Sequence, residues 1–195
     1  ENIVQQCYPV PNFYTKVNLL THLIKNKTDF RKVLIFVSSK KIADRLFDAL
    51  EGRFGSELGV IHSNKSQNYR IRSVEQFDSG VNRILLSTDV MARGLDLEKI
   101  THVINFDTPT YPENYMHRIG RTGRAEEEGN TILFYTEKET ESKEAIEDLM
   151  MMKIRTNKIP KEVEVSRALI PEEQPRNIEI HKSHKKKTDE EVSYH

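Results

Sequence analysis

Two short stretches constrain the fold more than any other feature of the sequence. Val33-Leu34-Ile35-Phe36-Val37 and Ile84-Leu85-Leu86 are continuously apolar, not alternating. A strand with one wet face alternates, whereas a strand covered on both faces does not. These runs therefore suit the interior of a parallel sheet with helices on either side. Further short runs predict strands at Ile3–Tyr8, Gly59–His62, His102–Phe106 and Thr131–Tyr135, with the second apolar run extending over Arg83–Ser87. Between them the apolar positions repeat at helical spacing: Val17, Leu20, Leu23 and Ile24; Ala43, Leu46, Phe47 and Leu50; Ile71, Val74 and Phe77; and Ala145, Ile146, Leu149 and Met150. Alternating strands and helices with short links predict an α/β layered domain with a mostly parallel sheet and right-handed crossovers. Ligands of such sheets favour the loops at the carboxyl ends of the strands.

Composition narrows the class. The chain has 195 residues, of which 36% are hydrophobic and 31% charged, enough for one domain with a tail. No apolar run approaches the ~18 residues of a membrane span, so no membrane partner is expected. The single cysteine, Cys7, can form neither an internal disulfide nor a CxxC zinc site, which suggests a reducing, cytoplasmic setting. The chain opens on Glu1-Asn2 without a signal peptide, as a fragment or a processed chain would. Thirty basic residues balance thirty acidic ones, which argues against a bulk polycation but leaves room for a local basic patch. After Lys153 the composition turns polar, punctuated by Pro160, Pro171 and Pro175. Ile154–Ala168 reads as a packed extension and the remainder as a mobile tail. The basic run His181–Lys187 is either an accessory phosphate-binding arm or a solvated linker partly cancelled by Asp189-Glu190-Glu191.

Several chemistries are missing. None of the eight glycines is followed by lysine, so there is no Walker A loop. Neither a GxGxxG fingerprint nor a GxSxG nucleophile elbow occurs. His181 and His184 lack further ligands for a metal, and none is expected there.

The strongest positive signal is His117-Arg118-Ile119-Gly120-Arg121-Thr122-Gly123-Arg124. On a helical turn Arg118, Arg121 and Arg124 share a side. The glycines permit close backbone approach, and guanidinium forks suit phosphate oxygens. The cluster is either a phosphate site or a surface group paired with Glu126–Glu128. A second signal, Ser87-Thr88-Asp89-Val90-Met91-Ala92-Arg93-Gly94-Leu95-Asp96, directly follows a buried strand. It is either a site loop or a strand-to-helix turn capped by Thr88 or Asp89.

Taken in order, these motifs resemble the C-terminal helicase lobe of DEAD-box RNA helicases. The resemblance is carried by Ile35–Asp44 (IFVSSKKIAD), Gln67-Asn68-Tyr69-Arg70, STDVMARGLD, Val103–Pro109 and HRIGRTGR. It covers about Asn2 to Ile159, which divides the chain into a lobe over 1–159 and an extension with basic tail over 160–195. Within the family the chain looks most like the bacterial RhlE-type group. The resemblance implies a RecA-like three-layer domain of the P-loop NTPase superfamily without its own Walker A, which a partner N-terminal lobe would supply. ATP, with magnesium held mainly by that other lobe, would bind between the two, and RNA would lie across both.

Residue by residue, the resemblance implies that Arg121 and Arg124 reach the γ-phosphate as arginine fingers, countering charge that grows in the transition state. Asp96 would accept from the ATP ribose, with Gly94 allowing close approach. Arg93 and His117 would support the contact between lobes. Ser39, Lys40, Gln67, Arg70 and Thr88 would contact RNA through its backbone, giving salt-sensitive, sequence-tolerant binding. Read without the resemblance, Gln67 could cap the helix that carries Arg70, and Lys40 could be merely solvated. The chain departs from the family at His62-Ser63, where His-Gly is common. Two other classes remain to be weighed: a non-catalytic RNA-binding module on the same fold, and the lobe of a DNA-directed translocase.

Overall fold

A computed structural model describes residues 3–89, 99–120 and 128–175 of the chain. The strands are β1 (Ile3–Pro9), β2 (Val33–Val37), β3 (Leu58–Ile61), β4 (Ile84–Thr88), β5 (His102–Asn105), β6 (Gly129–Tyr135) and β7 (Arg155–Thr156). The helices are α1 (Phe13–Ile24), α2 (Lys40–Phe54), α3 (Gln67–Asp78), α4 (Pro112–Ile119) and α5 (Thr140–Met150). The strands form one sheet in the order β3-β4-β2-β5-β6-β1-β7, and every pairing is parallel. This is the RecA-like α/β architecture.

The continuous apolar runs explain the layering. Along β2, Val33, Ile35 and Val37 pack with Leu19, Leu20, Leu46 and Leu50 of α1 and α2. Leu34 and Phe36, on the opposite face, pack with Phe77 of α3. Further along that second face, Cys7 and Leu133 meet Tyr115 and Ile119 of α4 and Ile146 of α5. Helices thus cover both faces, and all five residues of β2 are buried.

The predicted strands recur within one or two residues of their ends, and β7 is an addition. The packed extension also continues past Ala168. Val163 and Ile170 are buried against α1 and α2. Asn12, the N-cap of α1, accepts from the Thr15 N–H at 3.0 Å and donates to Ser166 O at 2.7 Å. The Glu173 carboxylate accepts from the Phe13 N–H at 2.9 Å, a favourable charge at the start of a helix. Glu172 meets Lys41 at 3.1 Å and Arg45 at 3.2 Å on α2. A polar, proline-punctuated segment is held here by caps and ion pairs around two apolar anchors. No helix among the described residues is long and apolar enough to cross a membrane.

At the amino end of the sheet, His102 stacks on Phe30 with ring centroids 3.8 Å apart. Burial pushes its pKa down to about 4, against the opposing pull of Asp29. Above pH ~6.5 the ring is neutral in both folded and unfolded chains, so pH has no leverage there. Below that, the unfolded chain takes a proton that the fold refuses, and stability falls progressively until about pH 4. The full loss is about 3 kcal/mol. His102→Phe keeps the ring and removes the proton. Urea unfolding at pH 7 and pH 4.5 should show a clearly smaller acid loss in the variant; an equal loss would show that His102 does not drive it.

Candidate functional site

The carboxyl ends of adjacent strands gather most of the described candidate residues. β2 ends at Val37 and leads into Ser39, whose side chain caps α2 by accepting from the Ile42 N–H at 3.2 Å. Lys40 is exposed one residue on, and its Nζ donates to Asn64 Oδ1 at 3.2 Å. Asn64 belongs to the turn between β3 and α3. α3 is capped by Ser66, which accepts from the Tyr69 N–H at 3.2 Å, so Gln67 is not the cap. Its amide oxygen instead accepts from Arg70 Nη2. Thr88 is half-buried at the end of β4, between β3 and β2 in the sheet. Ser39, Lys40, Gln67, Arg70 and Thr88 therefore share one end of three neighbouring strands. Lys65, over the Tyr69 ring at 5.0 Å, adds a further cation to this end.

Ser63 stands in this turn with an ordinary negative φ; the only non-glycine residues with positive φ among the described ones are Lys99 and Met151. The backbone here does not require glycine, so the departure at His62-Ser63 carries no strain.

A second cluster lies beside the first. Arg118 of α4 is 2% exposed, and its guanidinium makes four hydrogen bonds. Nε donates to Asp89 Oδ1 at 2.6 Å and Nη2 to Asp89 Oδ2 at 2.7 Å, a bidentate fork. Nη1 donates to Asn105 Oδ1 and to Asp107 O, each at 3.1 Å. The guanidinium carbon sits 4.8 Å from the centroid of the Phe36 ring. Asp107 in turn accepts from the Ser38 N–H at 2.7 Å and from Lys16 Nζ at 3.3 Å. Lys16 is 4% exposed and also reaches Glu139 Oε1 at 3.0 Å. The other oxygen of Glu139 accepts from the Thr108 N–H at 2.7 Å. The loops after β2, β4, β5 and β6 are thus fastened by one run of charged and polar contacts.

Of the three arginines of the motif, Arg118 therefore faces Asp89. Arg118 is committed to Asp89, with four of its five N–H donors bonded within the lobe. Gly120 also differs from expectation: a Cβ there would meet His117 O at 3.5 Å and Met116 O at 3.8 Å, ordinary contacts. Its smallness serves no close packing within the described residues.

Comparison with known families decides the identity. Residues 15–126 match the helicase conserved C-terminal domain family. The chain belongs to this family. Its relatives place this helicase lobe among the DEAD-box proteins. The chain is 38% identical over 151 residues to the ATP-dependent RNA helicase p62 of Drosophila melanogaster, covering 75% of this chain and 21% of that protein. Its fold is similar to the crystal structure of the E. coli DEAD-box protein SrmB bound to regulator of ribonuclease activity A. That match has a TM-score of 0.78 and 26% identity, and covers 87% of this chain and 98% of that one. It is also similar to Mss116p DEAD-box helicase domain 2 bound to an RNA duplex, with a TM-score of 0.72 and 28% identity over 83% of this chain and 66% of that one. The chain spans only about a fifth of the length of p62, as the 21% coverage shows.

Within this lobe His117 is exposed on α4. Arg93, Gly94, Asp96, Arg121 and Arg124 lie outside the described residues, as do His181 and His184. Their flanks are described. Asp89 immediately precedes the segment holding Arg93, Gly94 and Asp96. Arg118 and Gly120 immediately precede the segment holding Arg121 and Arg124. The Asp89–Arg118 pair therefore joins the two motifs at their roots. Sequence reasoning missed this pair, and also Lys16, Asp107 and Glu139. The one available signal was Asp89 at the end of a buried strand, in a segment left open between a site loop and a turn capped by Thr88 or Asp89. Tyr115 completes the underside of α4, donating to Gln5 Oε1 at 2.7 Å. Burial pushes its phenol well above the ordinary range, so it stays a donor. Among the described residues no group of three His, Cys, Asp or Glu side chains could hold a metal ion.

Proposed function

We propose that this lobe is the second half of an ATP-dependent RNA helicase, acting with an N-terminal lobe that supplies Walker A and most of the magnesium coordination. The observation that carries the reading is the Asp89–Arg118 fork, which roots the ATP-side loop and the arginine motif in one place beside the RNA-side residues. ATP is the substrate. Arg121 and Arg124, with planar donors and permanent charge, are suited to its phosphate oxygens, and the Asp96 carboxylate to ribose hydroxyls. Arg93 and His117 support the contact between lobes. Lobe closure around ATP and single-stranded RNA brings the arginines to the nucleotide, and reopening resets the lobes. The printed descriptions of p62, as an ATP-dependent RNA helicase, and of Mss116p domain 2, as bound to an RNA duplex, support this assignment. The motifs favour the RhlE-type bacterial subgroup, and the single cysteine, Cys7, favours a cytoplasmic setting.

RNA is held by Ser39, Lys40, Gln67, Arg70 and Thr88 through its backbone. In the two-lobed protein, Lys40→Ala and Arg70→Ala should each weaken single-stranded RNA binding about five- to tenfold at moderate salt. Each should also flatten the slope of log affinity against log salt by about 0.7, one phosphate contact on a single strand. Titrations at several salt concentrations, with DNA of the same sequence as competitor, check both. Unchanged slopes would remove these residues from the interface, and equal competition by DNA would favour a DNA-directed lobe.

A further inference from the structure

The helix that carries Lys40 breaks a local rule. α2 opens with Lys40 and Lys41 and has no acidic residue in its first turn. The positive end of a helix dipole disfavours cations there. Lys40 and Asp44 also stand four residues apart, the spacing at which opposite charges pair along a helix. They do not pair. Asp44 Oδ1 is taken by His62 Nε2 at 2.8 Å, and Lys40 Nζ rests on Asn64 Oδ1 at 3.2 Å. Lys40 makes no ion pair among the described residues.

His62 is fixed for this task. It is 1% exposed at the end of β3. The Asn64 N–H donates to its Nδ1 at 3.1 Å, so the ring proton sits on Nε2 and goes to Asp44. One buried ring thus holds the carboxylate on one side and shapes the turn that presents Asn64 on the other. The Lys65 N–H closes that turn onto His62 O at 3.1 Å.

We propose that His62 holds the Asp44 carboxylate away from Lys40, so that the ammonium is seated on a neutral acceptor, Asn64, and keeps its full charge for an RNA phosphate. The inference rests on the RNA reading of Lys40 given above. An amide oxygen can orient an ammonium without cancelling it. A carboxylate at the same place would compete directly with phosphate and would leave one counterion fewer to release on binding. His62 and Asn64 are therefore positioning residues, acting through Lys40.

The test uses the two-lobed protein and a fluorescently labelled oligouridine, titrated across a range of salt. Asn64→Asp, an isosteric change on an exposed turn, should weaken binding about tenfold and flatten the salt slope by about 0.7, matching Lys40→Ala. In a Lys40→Ala background the same Asn64→Asp change should cost less than about twofold, because the charge it cancels is already gone. His62→Leu should mimic Asn64→Asp, and adding Asp44→Asn should restore both affinity and slope. Should His62→Leu fail to fold, the Asn64→Asp pair of measurements still decides the matter. An unchanged slope in Asn64→Asp beside a reduced slope in Lys40→Ala would overturn this inference and leave the RNA reading intact. Equal losses from Asn64→Asp in both backgrounds would show simple repulsion of RNA and overturn it too. No effect of Lys40→Ala would bring down the RNA role of Lys40 and this inference together.

Discussion

Replacing Arg118 by alanine is expected to remove about 3–5 kcal/mol of folding stability, the usual cost of breaking a buried ion pair by deleting one partner. The Arg118 side chain is 2% exposed and Asp89 28%, so water replaces the lost donors only in part. Alanine would leave the Asp89 carboxylate, Asn105 Oδ1 and Asp107 O without their guanidinium, and would open space beside Phe36. At about 2–4 °C per kcal/mol for a domain of this size, the melting temperature should fall by roughly 10 °C. Arg118→Lys keeps the charge and loses the fork, since one ammonium cannot span Asp89 and Asn105 together. Its loss should be intermediate. Arg118→Met combined with Asp89→Asn should be more stable than Arg118→Met alone, because the orphaned carboxylate is gone. Thermal melts of the four variants check this, and a loss below ~1 kcal/mol in Arg118→Ala would show that Asp89 is satisfied without it.

Arg121→Ala in the two-lobed protein should cut ATP turnover by about a thousandfold, roughly 4 kcal/mol in the barrier. In sequence Arg121 follows Gly120, the C-cap of α4, three residues after the anchored Arg118. Arg121→Lys should rescue little, because a point charge does not reproduce a planar fork. Near-normal turnover in either variant, measured under saturating ATP and RNA, would take Arg121 out of the mechanism. Melts of the Arg121 variants beside the wild type separate loss of chemistry from loss of fold.

The layers were legible because burial on two faces writes itself directly into the sequence. Val33–Val37 admits no polar residue, and it became a strand with all residues buried between helices. β7 had no such signature. Arg155 and Thr156 are exposed, and they join the sheet through backbone pairing with Gln6 and Cys7 and one contact of the Thr156 hydroxyl with Cys7 Sγ at 3.5 Å. The five residues proposed to contact RNA were picked out by motif, and the fold gathers them because β3, β4 and β2 are neighbours. The partner of Arg118 was not legible because helical spacing gives a direction and not what lies in it. Asp89 lies 29 positions upstream and meets it only after the sheet has formed. Lys16 was hidden in the same way: its carboxylates, Asp107 and Glu139, are 91 and 123 positions away. Long-range ion pairs leave no periodicity for a sequence to show.

The central claim, that this lobe works in an RNA-driven ATPase, is tested most directly by the rate of ATP hydrolysis of the two-lobed protein with and without single-stranded RNA. The account predicts a basal rate that is low and rises many-fold as RNA saturates, with the isolated lobe inert in both conditions. A rate that RNA leaves unchanged, or the absence of hydrolysis under any condition, would contradict it and would favour a lobe that binds RNA without turning over ATP.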